Sequence, residues 1–221
     1  MRTLNVWNNA AVALICAVMM VFIISCYAGS RADHFNRLAS NAESQAERVV
    51  ASLGLKPGDT VADIGSGGGY FTVLMARAVG PKGTVYAVDI DAALLKHVDD
   101  LAKKEGFSNV TTVRATESGT GIPGRCVDMV FMRNVFHDLK GDSAYFIRLR
   151  SVLKAGGRVA VIDYRPETLL KRLFGHFIDE AEIVSLMKSA GYGVAERHTY
   201  LEEQSFNIFV PAAAGTGSGY L

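Results

Sequence analysis

Val61-Ala62-Asp63-Ile64-Gly65-Ser66-Gly67-Gly68-Gly69-Tyr70-Phe71 passes through three kinds of chain in succession. Thr60 to Ile64 is an apolar run of strand length, and Gly65 to Gly69 is a glycine loop. From Tyr70 to Val79 the apolar residues return at helical spacing. Strand, tight turn and helix form the opening unit of a parallel α/β sheet. Glycines at such a junction let the backbone turn sharply and come close to a ligand with no Cβ in the way.

The same alternation extends outward on both sides. Ala46 to Leu55 reads as a helix leading into the turn Lys56-Pro57-Gly58-Asp59. Gly80-Pro81-Lys82-Gly83 stops the helix after the loop, and Thr84 to Val88 is a second strand. A helix from about Asp91 to Glu105, a strand Val110 to Arg114 and a strand Val127 to Met132 follow. A helix from about Ser143 to Lys154 precedes a strand Arg158 to Asp163, and a last helix runs from Asp179 to Ala190. Gly193 to Tyr200 and Gln204 to Val210 are β-rich. The expected fold is α/β, a doubly wound and mostly parallel seven-stranded sheet of the Rossmann-like kind.

The second strand ends in Val88-Asp89-Ile90-Asp91. A carboxylate at that place can accept both hydrogen bonds of a ribose diol. A glycine loop alone is also what any tight turn needs. Loop, strand context and Asp89 together point to an adenosine derivative. The dinucleotide fingerprint wants a small residue at its third glycine position, which counted from Gly65 is Tyr70. Asp63, two positions before the first glycine, would repel a pyrophosphate and suits the ammonium and sulfonium of S-adenosylmethionine.

The stretch Val61 to Phe71 resembles motif I of class I S-adenosylmethionine-dependent methyltransferases. It is most similar to the small-molecule branch that includes the ubiquinone/menaquinone-biosynthesis enzymes. The resemblance continues through Val85 to Ile90, Asn109-Val110, Arg114 to Glu117, Val127 to Val130 and Leu153 to Arg158. It implies that Gly65, Ser66, Gly67 and Gly69 line the methionine and ribose portion of the cofactor. Asp89 would take the ribose hydroxyls, and Ile90 would pack on adenine. Thr116 or Glu117 would lie at the adenine edge, where the family more often has Asp-Ala.

The end of the fourth strand reads Met132-Arg133-Asn134-Val135-Phe136-His137-Asp138-Leu139. In an open α/β sheet this end faces the crevice, so Asn134 is a further cofactor contact and the residues after it border the methyl group. No Asn/Asp-Pro-Pro-Tyr sequence occurs, which argues against DNA-base or glutamine N-methylation. The acidic cluster of catechol-type, metal-dependent enzymes is absent too. His137 can serve as general base on a hydroxyl or an acidic carbon, with Asp138 orienting it. Alternatively His137 packs at the start of the next helix and Asp138 caps it. Methyl transfer often needs no base, because alignment in a closed pocket supplies most of the acceleration. His176, beside Lys171 and Arg172, is either part of a substrate lid or a surface residue.

Twenty-three basic residues face 22 acidic ones, a net charge of +1. Such a chain has no field for drawing in nucleic acid, and its basic residues are scattered rather than striped. Three cysteines are present. Cys126 is alone in the globular part, so no internal disulfide forms there and arsenite chemistry lacks its thiols. No Cys/His spacing fits zinc.

The run Ala10 to Ile24, AAVALICAVMMVFII, carries no charge. Its length matches the core of a secretory signal, and extended to Ala28 it is long enough to span a bilayer. Ile23-Ile24-Ser25-Cys26 resembles the lipobox of bacterial lipoproteins, whose cysteine becomes the lipidated first residue. Residues 1–28 are therefore a lipoprotein-like signal or a membrane anchor, 29–41 a polar linker, 42–210 the methyltransferase domain and 211–221 a flexible tail. Export with a lipidated Cys26 fits the short apolar core. A retained helix with the domain on the cytoplasmic face fits a cofactor made in the cytoplasm, and the flanking charges are a near tie. The expected activity is methyl transfer to a small-molecule or lipid-like acceptor. Its rivals are a silent S-adenosylmethionine- or S-adenosylhomocysteine-binding lipoprotein and a lipoprotein that reuses the fold for protein contacts.

Overall fold

Seven strands form one sheet in the order β3-β2-β1-β4-β5-β7-β6 in the computed structural model, which describes residues 13–20, 31–116, 119–139, 143–165 and 177–212. The strands are β1 (Thr60–Ile64), β2 (Thr84–Asp89), β3 (Val110–Arg114), β4 (Val127–Arg133), β5 (Leu153–Tyr164), β6 (Tyr192–His198) and β7 (Gln204–Pro211). β1 pairs in parallel with β2 on one side and β4 on the other, and β2–β3 and β4–β5 are parallel as well. Only β7 runs against its neighbours, inserted between β5 and the edge strand β6. The strand order reverses between β1 and β4, so the crevice of this sheet opens at their C-terminal ends.

Residues 31–40 form α1, followed by a 3₁₀ turn Ala42–Ser44 and α2 (Ala46–Ser52). α3 (Tyr70–Val79), α4 (Ala92–Lys104), α5 (Phe136–Leu139), α6 (Ser143–Leu149) and α7 (Glu180–Ser189) complete the helices used below. Alternate strand residues feed two cores. Val130 and Met132 pack with Phe146, Ile183 and Met187 on one face. Met129 and Phe131 pack with Val49, Met75 and Val79 on the other. Burial on both faces is why the central strands read as continuous apolar runs.

Two expectations shift. The polar stretch assigned to a linker contains a helix. α1 buries Ala32 and Ala39, at 0% and 8% exposure, behind its polar residues, and small alanines give too weak an apolar stripe to stand out in the sequence. The helix predicted to reach Lys154 stops at Leu149, because Leu153 is already in β5, opposite Val127. Residues 13–20 are also helical, with every side chain exposed. Among the described residues no helix is long and apolar enough to cross a membrane. Cys26, Glu117, Lys171, Arg172, His176 and residues 213–221 lie outside the described residues.

Candidate active site

β1 delivers the chain into the glycine loop by handing its ladder over to β2. The N–H groups of Gly65 and Ser66 both donate to the Val88 carbonyl, at 2.8 and 3.1 Å. Gly65 takes a φ of 73°, and a Cβ there would lie 2.8 Å from a Val135 methyl, so only glycine lets the β4–α5 turn come this close. Asp89 ends β2 beside the loop. Its Oδ2 accepts from Gly67 N–H at 3.1 Å and its Oδ1 from Asp91 N–H at 3.0 Å. Burial raises the Asp89 carboxyl above its ordinary range, and those N–H bonds pull it back. Ile90, next in the chain, is 67% exposed, a bare apolar surface at the lip of the crevice. The hydroxyl of Ser66 is buried and has no partner among the described residues.

Asp63 lies deep at the end of β1. It is 3% exposed and accepts a 2.5 Å hydrogen bond from Thr72 Oγ1 on α3. Burial pushes its carboxyl up to about 7, opposed by the Thr72 hydroxyl, reinforced by the charge of Asp89 and opposed by that of Arg133. Gly69 begins α3 and directs its missing side chain at Val98 of α4, 2.9 Å away, so it serves helix packing. Thr116 exchanges backbone hydrogen bonds with Gly119 and follows Ala115, whose N–H donates to the Asp89 carbonyl at 2.9 Å. Glu117 lies outside the described residues.

The sequence gives no warning of α1. Asn36 donates to the Gly68 carbonyl at 2.9 Å and accepts from Tyr70 N–H at 3.1 Å. Arg31 pairs with Asp91 at 2.8 Å, and a Cβ added to Gly67 would meet the Phe35 ring at 3.5 Å. α1 is thus an outer wall of the glycine loop.

On the other side of the loop, β4 presents Arg133 and Asn134. Asn134 takes the left-handed conformation, φ 54°, that asparagine tolerates, and its Oδ1 accepts from Gln204 Nε2 at 2.5 Å. Arg133 lies 5.1 Å from the centre of the Phe71 ring, and its buried Nε has no partner among the described residues. A cavity of about 300 Å³ opens here, lined by Leu38, Gln45, Arg133, Tyr164, Leu201 and Gln204 among others.

His137 stands at the second position of α5, and the third is Asp138, inside the helix rather than capping it. One partner of the His137 ring is a residue the sequence reading missed. Asp163, fully buried at the end of β5, lies 2.9 Å from Nδ1. Asp138 is 3.7 Å from Nε2 on the exposed side. Asp163 and Arg133 could have been found by the rule that picked Asp89, a charged residue closing an apolar parallel strand at its crevice end. Among the described residues no group of three His, Cys, Asp or Glu could hold a metal ion.

The family profile described as "Methyltransferase domain" matches residues 55–205. A ubiquinone/menaquinone biosynthesis C-methyltransferase of Pseudomonas paraeruginosa is 35% identical over 162 residues, 70% of this chain. The match spans 61% of that relative's length. A demethylmenaquinone methyltransferase of Anoxybacillus flavithermus is 26% identical, covering 62% of this chain and 60% of its own. The crystal structure of a SAM-dependent methyltransferase from Aquifex aeolicus superposes with a TM-score of 0.67 at 28% identity, over 75% of this chain and 89% of that one. With the fold, the glycine loop and the acidic end of β2 all in their places, this chain belongs to the methyltransferase domain family.

Proposed function

We propose that the protein transfers a methyl group from S-adenosylmethionine to a small-molecule or lipid-like acceptor, close to a membrane. The observation that carries this reading is the join of Asp89 to Gly67 at the switch point of the sheet. It fixes a carboxylate beside a loop whose backbone a ligand can approach. The surroundings fit the cofactor. Asp89 would hold the ribose diol and exposed Ile90 would cover adenine, while the Ser66 hydroxyl, without a partner among the described residues, and the buried carboxylate of Asp63 suit the polar methionine end. When bound, the cofactor supplies a methyl group already activated on a sulfonium.

The residues around β4 and β5 supply the acceptor side. A cavity of about 300 Å³ is at the small end for ligand pockets, room for one ring with any long tail left outside. The Arg133 guanidinium can hold an oxygen on that ring, and Leu38 and Leu201 provide apolar wall. Acceptors like those named for the relatives, quinone precursors, are the first to try.

The membrane part of the reading rests on the uncharged run Ala10 to Ile24 and on the helical residues 13–20, where Leu14, Ile15, Val18, Met19 and Met20 are 55–67% exposed. α1 follows this run and forms a wall of the site, so an anchored N-terminus would hold the crevice near lipid.

The test is titration of the full-length chain with S-adenosylmethionine, then a labelled-methyl screen over membrane extracts and quinone precursors. Asp89→Ala should weaken cofactor binding by about 1.5–3 kcal/mol, the scale for hydrogen bonds to a charged group. Absence of binding by the wild type would overturn the reading. Binding with no transfer to any acceptor would favour the silent lipoprotein.

A further inference from the structure

We propose that the acceptor enters the cavity beside β4 as an oxyanion, the ionised form of a phenol or enol, and that Arg133 is its counter-charge. This deepens the methyltransferase reading and rests on it.

Arg133 closes β4 two positions after Phe131, so it leaves the sheet on the face that Phe131 buries against Phe71 and Met75 of α3. The Phe71 ring, its centre 5.1 Å from the guanidinium carbon, gives a cation–π contact and no lone pair. The N–H groups of the fork are short of acceptors. Nε is buried without a partner among the described residues. Nη2 reaches only Gln204 Oε1, at 3.5 Å, the long limit for a hydrogen bond. Gln204 is neutral and 4% exposed, and its amide nitrogen is committed to Asn134 Oδ1. Among the described residues no carboxylate pairs with the guanidinium.

Arginine stays protonated at any working pH, so a fixed cation faces the cavity of about 300 Å³. Leaving such a charge half-buried and unpaired is costly, and an anion in the cavity would recover that cost. A neutral ring oxygen would accept the hydrogen bonds and leave the charge standing. Burial lowers the guanidinium from its ordinary value, and Tyr164 and Asp163 of β5 and Asp63 of β1 oppose this through charge. Asp163 has its oxygens on the N–H groups of His137 and Tyr164, and Asp63 accepts from Thr72. Glu43, Glu202 and Glu203 also line the cavity, but all three are exposed, where water and salt screen their repulsion.

An acidic hydroxyl loses its proton to water before it enters, so this site needs no base. The electron pair of the oxyanion, on oxygen or delocalised to a ring carbon, forms the bond to the methyl carbon. The pair of the broken S–CH₃ bond stays on sulfur. Where a ring carbon takes the methyl, its hydrogen leaves to water as a proton. No oxidant or reductant is needed.

The test uses para-nitrophenol, whose anion is yellow, and para-nitroanisole, its methyl ether, which has a similar shape and cannot ionise. Each is titrated into the full-length chain. Below the ionisation midpoint of free nitrophenol, binding should raise the yellow fraction, and the ether should bind about tenfold more weakly or worse. Arg133→Met should weaken nitrophenol binding about 10–100-fold and remove the colour change. Gln204→Glu sets a carboxylate against Arg133 and should weaken binding about tenfold. Gln204→Leu breaks the same contact without adding charge and should stay near the wild type. Equal affinity for the two probes, a loss of yellow on binding, or no nitrophenol binding by the wild type would overturn the proposal whether or not the variants fold. So would full nitrophenol affinity in Arg133→Met. Failure to bind S-adenosylmethionine in a separate titration would sink the methyltransferase reading instead, leaving the oxyanion site to be judged on the nitrophenol result.

Discussion

Asn36 donates from its side-chain amide to the carbonyl of Gly68 at 2.9 Å, and the same amide accepts from the N–H of Tyr70 at 3.1 Å. One side chain from α1 thus satisfies two backbone groups at the junction of the glycine loop with α3. Helix starts leave such N–H groups without partners, and the usual remedy is a cap from the preceding residue. Gly69 has no side chain to offer, so the cap comes from another element.

Asn36→Ala should therefore loosen both the fold and the site. Two partly buried groups lose their partner, a loss of about 1–3 kcal/mol in stability. Cofactor affinity should fall as well, because α1 would no longer hold the loop. Denaturant melts and calorimetric titration check the two effects separately. A stable variant with full affinity would show that α1 is not a wall of the site.

Gly68→Ala probes the same contact from the other side. A Cβ on Gly68 would come within 2.3 Å of the Ala32 carbonyl, so backbone has to move. Overpacking of this kind destabilises by about 1–3 kcal/mol. Gly193→Ala in β6 is the control, with nothing within 4 Å of the added carbon. Equal melting temperatures for the two variants would contradict the close seating of α1.

Asp63 makes stability depend on pH in a stated direction. Its ordinary value is 3.8, and the fold raises it to about 7. Between those values the native state keeps a proton that the unfolded chain has released. Stability therefore falls as pH rises through that window and levels off above about 7. Asp63→Asn should remove this slope and be the more stable protein near pH 8, by on the order of 2–4 kcal/mol. Affinity for the cationic cofactor should move the other way in the wild type, tightening as pH rises and Asp63 ionises. Identical pH slopes for the two proteins would show that Asp63 titrates normally.

The sheet was legible because its signals are local. Each central strand is a mostly apolar run closed by a turn, because burial on both faces favours apolar residues along it. Asp89 could be read because it follows a strand that follows the glycine loop. Asn36 could not, since its partners lie 32 and 34 positions away and its helix shows no strong apolar stripe. Asp138 is the partner that adjacency suggests for His137, and it lies 3.7 Å from Nε2 on the exposed side. The closer contact, at Nδ1, is with Asp163, 26 positions on, which parallel pairing of β4 with β5 brings alongside. Contacts made by sheet register are invisible until the register is known.

The N-terminus gives the last prediction. The sequence Ile23-Ile24-Ser25-Cys26 suits lipoprotein processing, with a small residue before the cysteine, and the uncharged run from Ala10 to Ile24 is short for a retained span. Export would then leave the domain away from the compartment where S-adenosylmethionine is made, whereas a retained helix would keep it there. α1 sharpens the choice. It starts by residue 31, at most five positions after Cys26, and its Arg31 is already bonded to Asp91 at 2.8 Å. A lipidated Cys26 would therefore hold the cofactor loop within a few residues of the bilayer surface. Our expectation is processing at Cys26, and mass spectrometry of the mature N-terminus decides it. Diacylglyceryl-Cys26 excludes the retained helix, and a chain beginning at unprocessed Met1 excludes the lipoprotein.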